Sequence, residues 1–338
     1  MVQLTLVRFR EFIREPEAVF WTFIFPILLA AGLGIAFRQR GPDKISVGVI
    51  CSTSVSEALK KDSTLIVKTL DDSSGARALR TGKIALLVVP TSKPDSVRYV
   101  YDRGRSDAMT ARVVVDRAVQ MAAGRVDLVS TADSYITEKG SRYIDFLIPG
   151  LLGMNLMGSS IWGLGFAIVT ARSKKLLKRL MATPMSRVQY LLSFLASRLV
   201  FLILEIVTLL GFGHLAFGVP LRGSLGTLLL ICFLGAISFG GLGLLSASRA
   251  RTTEAVSGIM NFIMLPMWIF SGVFFSSENF PNAVQPFIKA LPLTALNDAL
   301  RANMLEGASF AAVSPQLLII LVWGVLTFLA ALKLFRWR

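Results

Sequence analysis

The chain has 338 residues, of which 54% are hydrophobic and 17% charged, and its formal net charge is +15. Soluble domains are about 25% charged, so this deficit argues against an ordinary soluble enzyme. The basic excess is shared with nucleic-acid-binding proteins, but no nucleic-acid-binding motif accompanies it. The single histidine excludes a multi-histidine metal site, and Cys51 and Cys232 form no disulfide framework or zinc spacing.

The N-terminal region predicts a surface helix followed by a membrane span. Residues 1–17 place apolar and charged side chains at helical spacing, which is typical of an amphipathic helix at the membrane surface. Residues 18–37 are almost free of charge. At 1.5 Å of rise per residue, about twenty residues cross the roughly 30 Å hydrocarbon core, so this segment is the first predicted span. Pro26 is expected to kink it.

Residues 38–143 have the composition of a soluble sequence and predict a small α/β domain of about 100 residues. Short β-rich runs alternate there with helical patterns, and Gly and Pro residues punctuate them. The predicted strands are Ile45–Ile50, Leu65–Leu70, Ile84–Val89 and Val97–Tyr101. The predicted helices are Val55–Lys61, Ala76–Thr81 and Asp107–Arg125.

Residues 144–338 contain five further runs that are long and apolar enough to span a membrane. These runs are Phe146–Val169, Tyr190–Phe217, Leu225–Leu245, Ala255–Phe275 and Leu317–Leu334. Residues 276–310 are too polar to span, and they predict short helices at or within the outer face. The predicted fold class is an all-α polytopic membrane protein with six transmembrane helices and an N-terminal amphipathic helix. A small extracytoplasmic α/β domain lies between helices one and two.

The short loops predict the orientation. Residues 171–187 carry six basic residues and no acid, and further cations follow the fourth and sixth spans. The positive-inside rule places these loops and both termini in the cytoplasm. The α/β domain is then outside, and its own cations do not contradict this, because long translocated domains escape the rule.

No motif for nucleotide hydrolysis or for hydrolytic catalysis is present. The nearest approach to a phosphate-binding loop is Gly75 with Gly82-Lys83-Ile84, but its glycine spacing is wrong and Ile84 has no hydroxyl for magnesium. Neither a G-x-S-x-G elbow nor an H-E-x-x-H helix occurs. We therefore expect a chain that is not itself an enzyme and carries no cofactor.

Two stripes of side chains repeat at spacings of 4, 3 and 4 residues, each on one helical face. They are Asn155, Ser159, Trp162 and Phe166 in the second span, and Ser257, Asn261, Met264 and Trp268 in the fifth. A polar group in hydrocarbon is costly unless it faces the bundle or a cavity, so the stripes could line a pathway for an amphiphile. Interhelical packing with polar residues as glue is the alternative.

Glu205 lies deep in the third span, and an intramembrane acid suggests a functional residue. Arg198 precedes it by seven residues on the same face. That spacing is about 10 Å of rise, so direct contact is not expected without side-chain bending. A structural partner for Glu205 or a lipid-headgroup contact for Arg198 is the alternative. His214 is expected to be a satisfied interfacial residue, and Asp145 to cap the second span.

The region 143–192 carries a family resemblance. Asp145–Gly150 reads Asp-Phe-x-x-Pro-Gly, a Gly-Met-Asn run follows, and a basic loop ends in Leu-Met-Ala-Thr-Pro at 180–184. These features resemble the permease subunits of ABC type-2 exporters, especially the drug-resistance and lipid-exporter branch. The amphipathic N-terminus, the domain between the first two spans and the segment Ser271–Arg301 extend the resemblance over the whole chain.

The resemblance implies a permease that pairs with a second copy or a paralogue in the inner membrane of a bacterium. It implies a separate ABC ATPase partner that carries ATP and magnesium, and leaves a periplasmic adaptor open. The implied function is export of an amphiphilic or hydrophobic substrate from the cytoplasm or inner leaflet. A membrane-anchored sensor whose external domain binds a ligand is the alternative, and an intramembrane enzyme would need paired carboxylates or a histidine cluster.

The resemblance also places a coupling helix near Ser173–Met181, within the cytoplasmic loop 170–188. The implied coupling residues are Lys174, Lys175, Leu177, Lys178, Leu180 and Met181. Many relatives have an acidic, glycine-containing stretch where this chain reads Ser-Lys-Lys-Leu-Leu-Lys. Topology signalling and lipid-headgroup contact are a compatible alternative for this basic cluster.

Overall fold

The computed structural model describes residues 9–10, 12–37, 44–50, 53–91, 96–126, 140, 142–173, 187–250 and 252–334. The chain divides into two compact units. One comprises residues 1–38 with 137–338, and the other residues 39–136. All six predicted coupling residues, and residues 1–8 of the amphipathic N-terminus, lie outside the described residues.

Within these described ranges, six helices are long and apolar enough to cross a membrane, which confirms the predicted number. Spans one to six are Pro16–Ala36, Tyr143–Ser173, Arg187–Phe217, Leu225–Ala247, Thr253–Phe270 and Phe310–Leu334. Spans two and four are the most buried and form the centre of the bundle. Their close approach requires a small residue, since a Cβ atom at Gly243 would stand 2.6 Å from the Ile161 carbonyl oxygen.

Two span ends differ from the prediction by five residues or more. Span five ends at Phe270 rather than Phe275, because the chain turns at Gly272, whose φ of +69° favours glycine. Span six begins at Phe310 rather than Leu317. Pro315 has no N–H for the Ala311 carbonyl, but the Ser314 hydroxyl donates to that oxygen at 2.7 Å, so the helix continues through the proline.

The α/β unit contains a four-stranded sheet of order β2-β1-β3-β4. Its elements are β1 Ile45–Ile50, α1 Thr53–Lys60, β2 Leu65–Leu70, α2 Asp72–Arg80, β3 Leu86–Pro90, β4 Val97–Tyr101 and α3 Ser106–Ala122. Strand β1 is parallel to both neighbours, and β4 is antiparallel to β3. Val47, Leu59 and Val115 are buried in the main core, whereas Ile50, Ile84 and Leu87 form a separate buried cluster.

Residues 271–309, called the 271–309 segment below, fold against the bundle between spans five and six. The segment contains a 3₁₀ turn at Ser277–Asn279, α4 at Gln285–Ala290, α5 at Pro292–Arg301 and a π-helical turn at Ala302–Glu306. Most of α5 is buried. The indole of Trp323 in span six donates to the Ala290 carbonyl at 2.8 Å. The short helices predicted for 276–310 are thus present and packed.

Candidate functional site

Arg198 and Glu205 form a buried ion pair within span three. The Arg198 Nη1 atom lies 2.7 Å from Glu205 Oε1, and the Glu205 side chain is completely buried. The backbone spacing predicted no direct contact without side-chain bending, and the structure shows the contact. Two helical turns separate the backbones, but the long arginine side chain extends along the helix and closes the gap.

Two serines of span two form hydrogen bonds with this ion pair. Arg198 Nη2 donates to Ser159 Oγ at 2.8 Å and to Ser160 Oγ at 2.9 Å. Ser159 Oγ also lies 3.0 Å from Glu205 Oε2 and 2.7 Å from the Asn155 carbonyl oxygen. Because a hydroxyl has one hydrogen, Ser159 can donate to only one of these acceptors at a time. Spans two and three are thus joined by exchangeable hydrogen bonds to charged groups.

Asn155 ties the same face of span two to span one. Its Nδ2 atom donates to the Thr22 carbonyl oxygen at 3.0 Å. In a regular helix Thr22 would accept from residue 26, but Pro26 has no N–H. The span is locally π-helical at Phe20–Ile24, and a neighbouring side chain supplies the donor. Pro26 therefore leaves the Thr22 carbonyl available to a donor from span two.

Aromatic side chains connect the N-terminal region to this cluster. Phe9 stacks on Phe201 with ring centroids 5.5 Å apart, and Phe12 lies 4.3 Å from the same ring. Phe201 is in span three, one helical turn from both Arg198 and Glu205. A displacement of residues 9–14 would therefore act on the helix that carries the ion pair.

The structure divides the predicted stripe of span two. Asn155 and Ser159 contact spans one and three, as described above. Trp162 and Phe166 are half-buried and contact each other in a tilted arrangement, with ring centroids 4.7 Å apart. The four residues share one helical side, but only the first two belong to the polar cluster.

The predicted stripe of span five is divided as well. Met264 is buried and its methyl group lies 3.7 Å from the position of a Cβ atom at Gly158 of span two. The Ser257 hydroxyl donates to its own helix, to the Thr253 carbonyl at 2.7 Å. Asn261 is exposed. Trp268 is half-buried, and its Nε1 has no hydrogen-bond partner among the described residues.

A second polar centre, around Arg301, fastens the 271–309 segment to the bundle. The guanidinium lies 3.6 Å from the centroid of the Phe146 ring and donates to the carbonyls of Phe146 and Gly272. Asp298 is the nearest carboxylate, at 3.9 Å. Burial lowers the pKa of Arg301 to about 10, against the opposing effect of Asp298. Asn297 adds a hydrogen bond to the Ser271 carbonyl at 2.8 Å.

At the opposite end of span two, Arg172 borders the predicted coupling loop. Its Nη1 atom donates to the carbonyls of Ala247 and Ala250 at 3.1 and 2.8 Å. These carbonyls lie at the C-terminal end of span four, where a cation is favourable. Motion at the start of the loop would therefore reach span four as well as span two.

Two other polar residues have local structural roles. Asp145 lies in the first turn of span two and accepts the backbone N–H groups of Gly140 and Arg142 at 2.9 and 3.2 Å. It also pairs with the Arg142 guanidinium at 2.8 Å. His214 Nδ1 lies 3.1 Å from the Val219 carbonyl oxygen. Asp145, at the third position of the helix, therefore caps the start of span two by accepting hydrogen bonds from backbone N–H groups that precede the helix.

Residues 17–333 match the family model described as ABC-2 family transporter protein. The chain belongs to the ABC-2 family. It is accordingly a membrane permease of this family with several transmembrane helices.

Three permeases of Escherichia coli (strain K12) are similar to this ABC-2 chain. "Inner membrane transport permease YhhJ" is 25% identical over 173 residues, covering 51% of this chain and 46% of the relative. "Probable multidrug ABC transporter permease YbhR" is 27% identical over 198 residues, covering 56% and 52%. "Probable multidrug ABC transporter permease YbhS" is 22% identical over 358 residues, covering 96% and 92%. The chain thus spans about half the length of the first two relatives in these matches.

Sequence reasoning missed three residues of the two polar centres in this ABC-2 permease. Ser160 lies next to a stripe residue but outside the 4-3-4 pattern, and its contact depends on the rotamer of Arg198. Asn297 and Arg301 were part of the family resemblance but were not singled out. Their signal is a spacing of four residues, which puts both polar side chains on one face of α5 and suggests a polar contact there.

Proposed function

We propose that this ABC-2 chain is the membrane-spanning subunit of an ATP-driven exporter in a bacterial inner membrane. It would move an amphiphilic or hydrophobic substrate out of the cytoplasm or the inner leaflet. The observation that carries the proposal is a buried ion pair with exchangeable hydrogen bonds, which joins spans two and three inside an ABC-2 bundle. Family membership favours this permease over the sensor alternative.

The substrate class is supported by the mixed character of span five. Its exposed face combines the Asn261 amide with large apolar side chains, including Phe262, which is 81% exposed. An amide facing lipid would be costly, so this face is expected to meet a cavity or another protein surface. Trp268 adds a buried indole N–H that has no acceptor in the part of the chain that the structure describes. We therefore assign a pathway for an amphiphile to this face, completed by a second permease copy or a paralogue.

ATP hydrolysis is assigned to a separate ABC ATPase, since ABC-2 permeases work with such partners and this sequence has no phosphate-binding loop. The loop 170–188 would receive the movement of the ATPase. Arg172 would pass it to span four, and Phe9 and Phe12 would pass movement of the N-terminal region to span three. Spans two and three could then exchange partners at Ser159 as access switches between the two sides.

The orientation proposed here predicts opposite reactivity for two exposed serines, Ser73 in the α/β domain and Ser173 at the end of span two. Each is replaced by cysteine in a background carrying Cys51→Ala and Cys232→Ala. With an impermeant maleimide, Ser73→Cys should react in intact spheroplasts. Ser173→Cys should react only after permeabilisation. The reverse pattern would place the α/β domain in the cytoplasm and contradict export in the proposed direction.

Coupling through the loop predicts that apolar anchors matter more than charges, since apolar contacts dominate helix-in-groove binding and charges mainly tune encounter. Leu177→Asp or Leu180→Asp should abolish transport and retention of the ATPase while the chain stays in the membrane. Lys174→Ala and Lys178→Ala should do less. Co-purification of the ATPase and membrane abundance are measured for each variant.

A purely topological role for the loop predicts the opposite order. Loss of positive charge would then disturb insertion, and a single aspartate would be tolerated. If the leucine variants keep both the ATPase and transport, the coupling site lies elsewhere, and residues 9–14 become the next candidate.

A further inference from the structure

The α/β unit contains a cleft of about 290 Å³ that none of the transport features uses. The side chains that give it its chemistry belong to Lys44, Ser46, Lys83, Arg105 and Asp107, and Gly82 lies beside them. Its volume is near the lower end of the roughly 300–1,000 Å³ typical of small-ligand sites. A site of this size suits one small polar group rather than a large apolar molecule.

The topology of the sheet explains why these residues meet. Strands β1 and β3 are parallel neighbours. The residues that precede them, Lys44 and Lys83, therefore lie at the same end of the sheet, where these two strands begin. Strand β4 runs antiparallel to β3, with Tyr101 opposite Leu86, so the last residue of β4 lies at the same end of the sheet. The chain then continues to Arg105, which directly precedes α3. Three separate parts of the sequence therefore each place one basic side chain at this cleft.

The charges in the cleft are unbalanced. Lys44, Lys83 and Arg105 contribute three positive charges, and Asp107 is the one acid among the lining residues. Asp107 is already engaged by Arg105, with Nε–Oδ1 and Nη2–Oδ2 distances of 3.1 and 2.5 Å. The start of α3, a helix of 17 residues, adds the partial positive charge of a helix N-terminus. The cleft is therefore electropositive even with its acid paired.

The Nη1 atom of Arg105 is not used by the ion pair with Asp107. Asp107 occupies Nε and Nη2, whereas Nη1 lies 3.5 Å from the position a Cβ atom would take at Gly82. Gly82 has a φ of +71°, which favours glycine, and the missing side chain leaves the space beside Nη1 open. The ion pair with Asp107 also fixes the orientation of the guanidinium, so less entropy is lost on binding.

Protection of an exposed sheet edge is a poorer explanation for these lysines. Charged residues that prevent edge-to-edge pairing lie along the outer strands, which are β2 and β4 here. Lys44 and Lys83 instead precede the two inner strands and flank a concave surface. Guanidinium N–H donors and lysine ammonium groups are side-chain groups with which proteins bind phosphate.

We propose that this cleft binds a phosphate group through Lys44, Lys83 and the free arm of Arg105. The phosphate belongs either to the headgroup of an anionic phospholipid or to a free anion. A phospholipid is a candidate because the domain is connected at both ends to membrane spans. The proposal does not depend on the direction of transport or on the substrate assigned above. It gives the α/β domain a recognition function of its own.

The test uses the purified full chain in neutral detergent. Equilibrium dialysis with radiolabelled inorganic phosphate should detect one site with a dissociation constant on the order of 1 mM. The double variant Lys44→Glu, Lys83→Glu should weaken binding at least about tenfold, because it reverses two of the three charges. The control Lys60→Glu, Lys68→Glu changes two exposed lysines of the same unit and should weaken it less than about twofold.

A second arm identifies the source of the phosphate. Native mass spectrometry counts phosphatidylglycerol molecules retained by each form of the chain, with phosphatidylcholine as the neutral comparison. Loss of one phosphatidylglycerol in the Lys44→Glu, Lys83→Glu variant supports a headgroup site. An unchanged lipid count with weakened phosphate binding supports a site for a free anion. Equal losses in the two double variants, or no binding of phosphate or phosphatidylglycerol to the wild type, would overturn the proposal.

Discussion

Replacing Arg198 with methionine is expected to destabilise the solubilised protein by about 3–5 kcal/mol. The change leaves the Glu205 carboxylate buried without its counter-charge, since the carboxylate side chain is fully buried and Arg198 Nη1 is 2.7 Å away. It also removes the donor that Ser159 and Ser160 share. Unfolding of the purified chain by a denaturing detergent, followed by circular dichroism, measures the loss. Ser246→Ala is the control, because among the described residues that hydroxyl donates its hydrogen bond to the Leu242 carbonyl of its own helix rather than to another span.

A second substitution separates a structural from a functional role for this pair. Replacing both charges by apolar residues of similar size is often nearly neutral for stability. The double variant Arg198→Met, Glu205→Leu should therefore recover most of the lost stability. We expect transport to stay at least about tenfold below wild type, because the exchangeable hydrogen bonds between spans two and three are gone. Recovery of both stability and transport would show that the pair is only a structural element.

Arg301→Lys is expected to destabilise the protein at least as much as Arg301→Met, although lysine keeps the charge. The guanidinium lies over the Phe146 ring and donates to two carbonyls that belong to different parts of the chain. A lysine ammonium is more strongly hydrated and lacks the planar fork, so burying it at this position costs more free energy. Each variant should lose about 1.5–3 kcal/mol, the range for hydrogen bonds to charged groups.

The same unfolding measurement tests the Arg301 prediction. Lys289→Met is the matched control, because it removes an exposed cation from α4 of the same 271–309 segment and should change the free energy of unfolding by less than about 0.5 kcal/mol. Limited proteolysis of residues 276–284 should become faster in both arginine variants as the segment detaches. If Arg301→Lys is as stable as wild type, the carbonyl and ring contacts do not hold the segment.

The six spans could be predicted because the hydrocarbon core demands long apolar helices, and the sequence supplies them at six places. The strands of the α/β unit were equally visible from their β-rich runs. Span ends were harder to place. The beginning of span six depends on a hydrogen bond from Ser314 that offsets the effect of Pro315, and no hydrophobicity pattern reports such a bond.

The polar contacts could be predicted only in part. Glu205 and Ser159 were identified by type and depth, since polar groups in a span need partners. From the helical rise, the Arg198–Glu205 contact was not expected without side-chain bending, because backbone spacing takes no account of the reach of an arginine side chain. Arg301 was not found, since its partners Phe146 and Gly272 are remote in sequence and meet it only when the segment docks.

Reconstitution of the chain with its ABC ATPase tests the central claim most directly. The chain alone and the complex are placed in separate proteoliposomes, and ATP hydrolysis and uptake of a fluorescent amphiphilic dye are measured in parallel. ATP is supplied only on the side where the ATPase is exposed. The account predicts no ATP hydrolysis by the chain alone, and ATP-dependent movement of the dye away from the ATPase side by the complex. Hydrolysis by the chain alone, or movement of the dye toward the ATPase side, would contradict it.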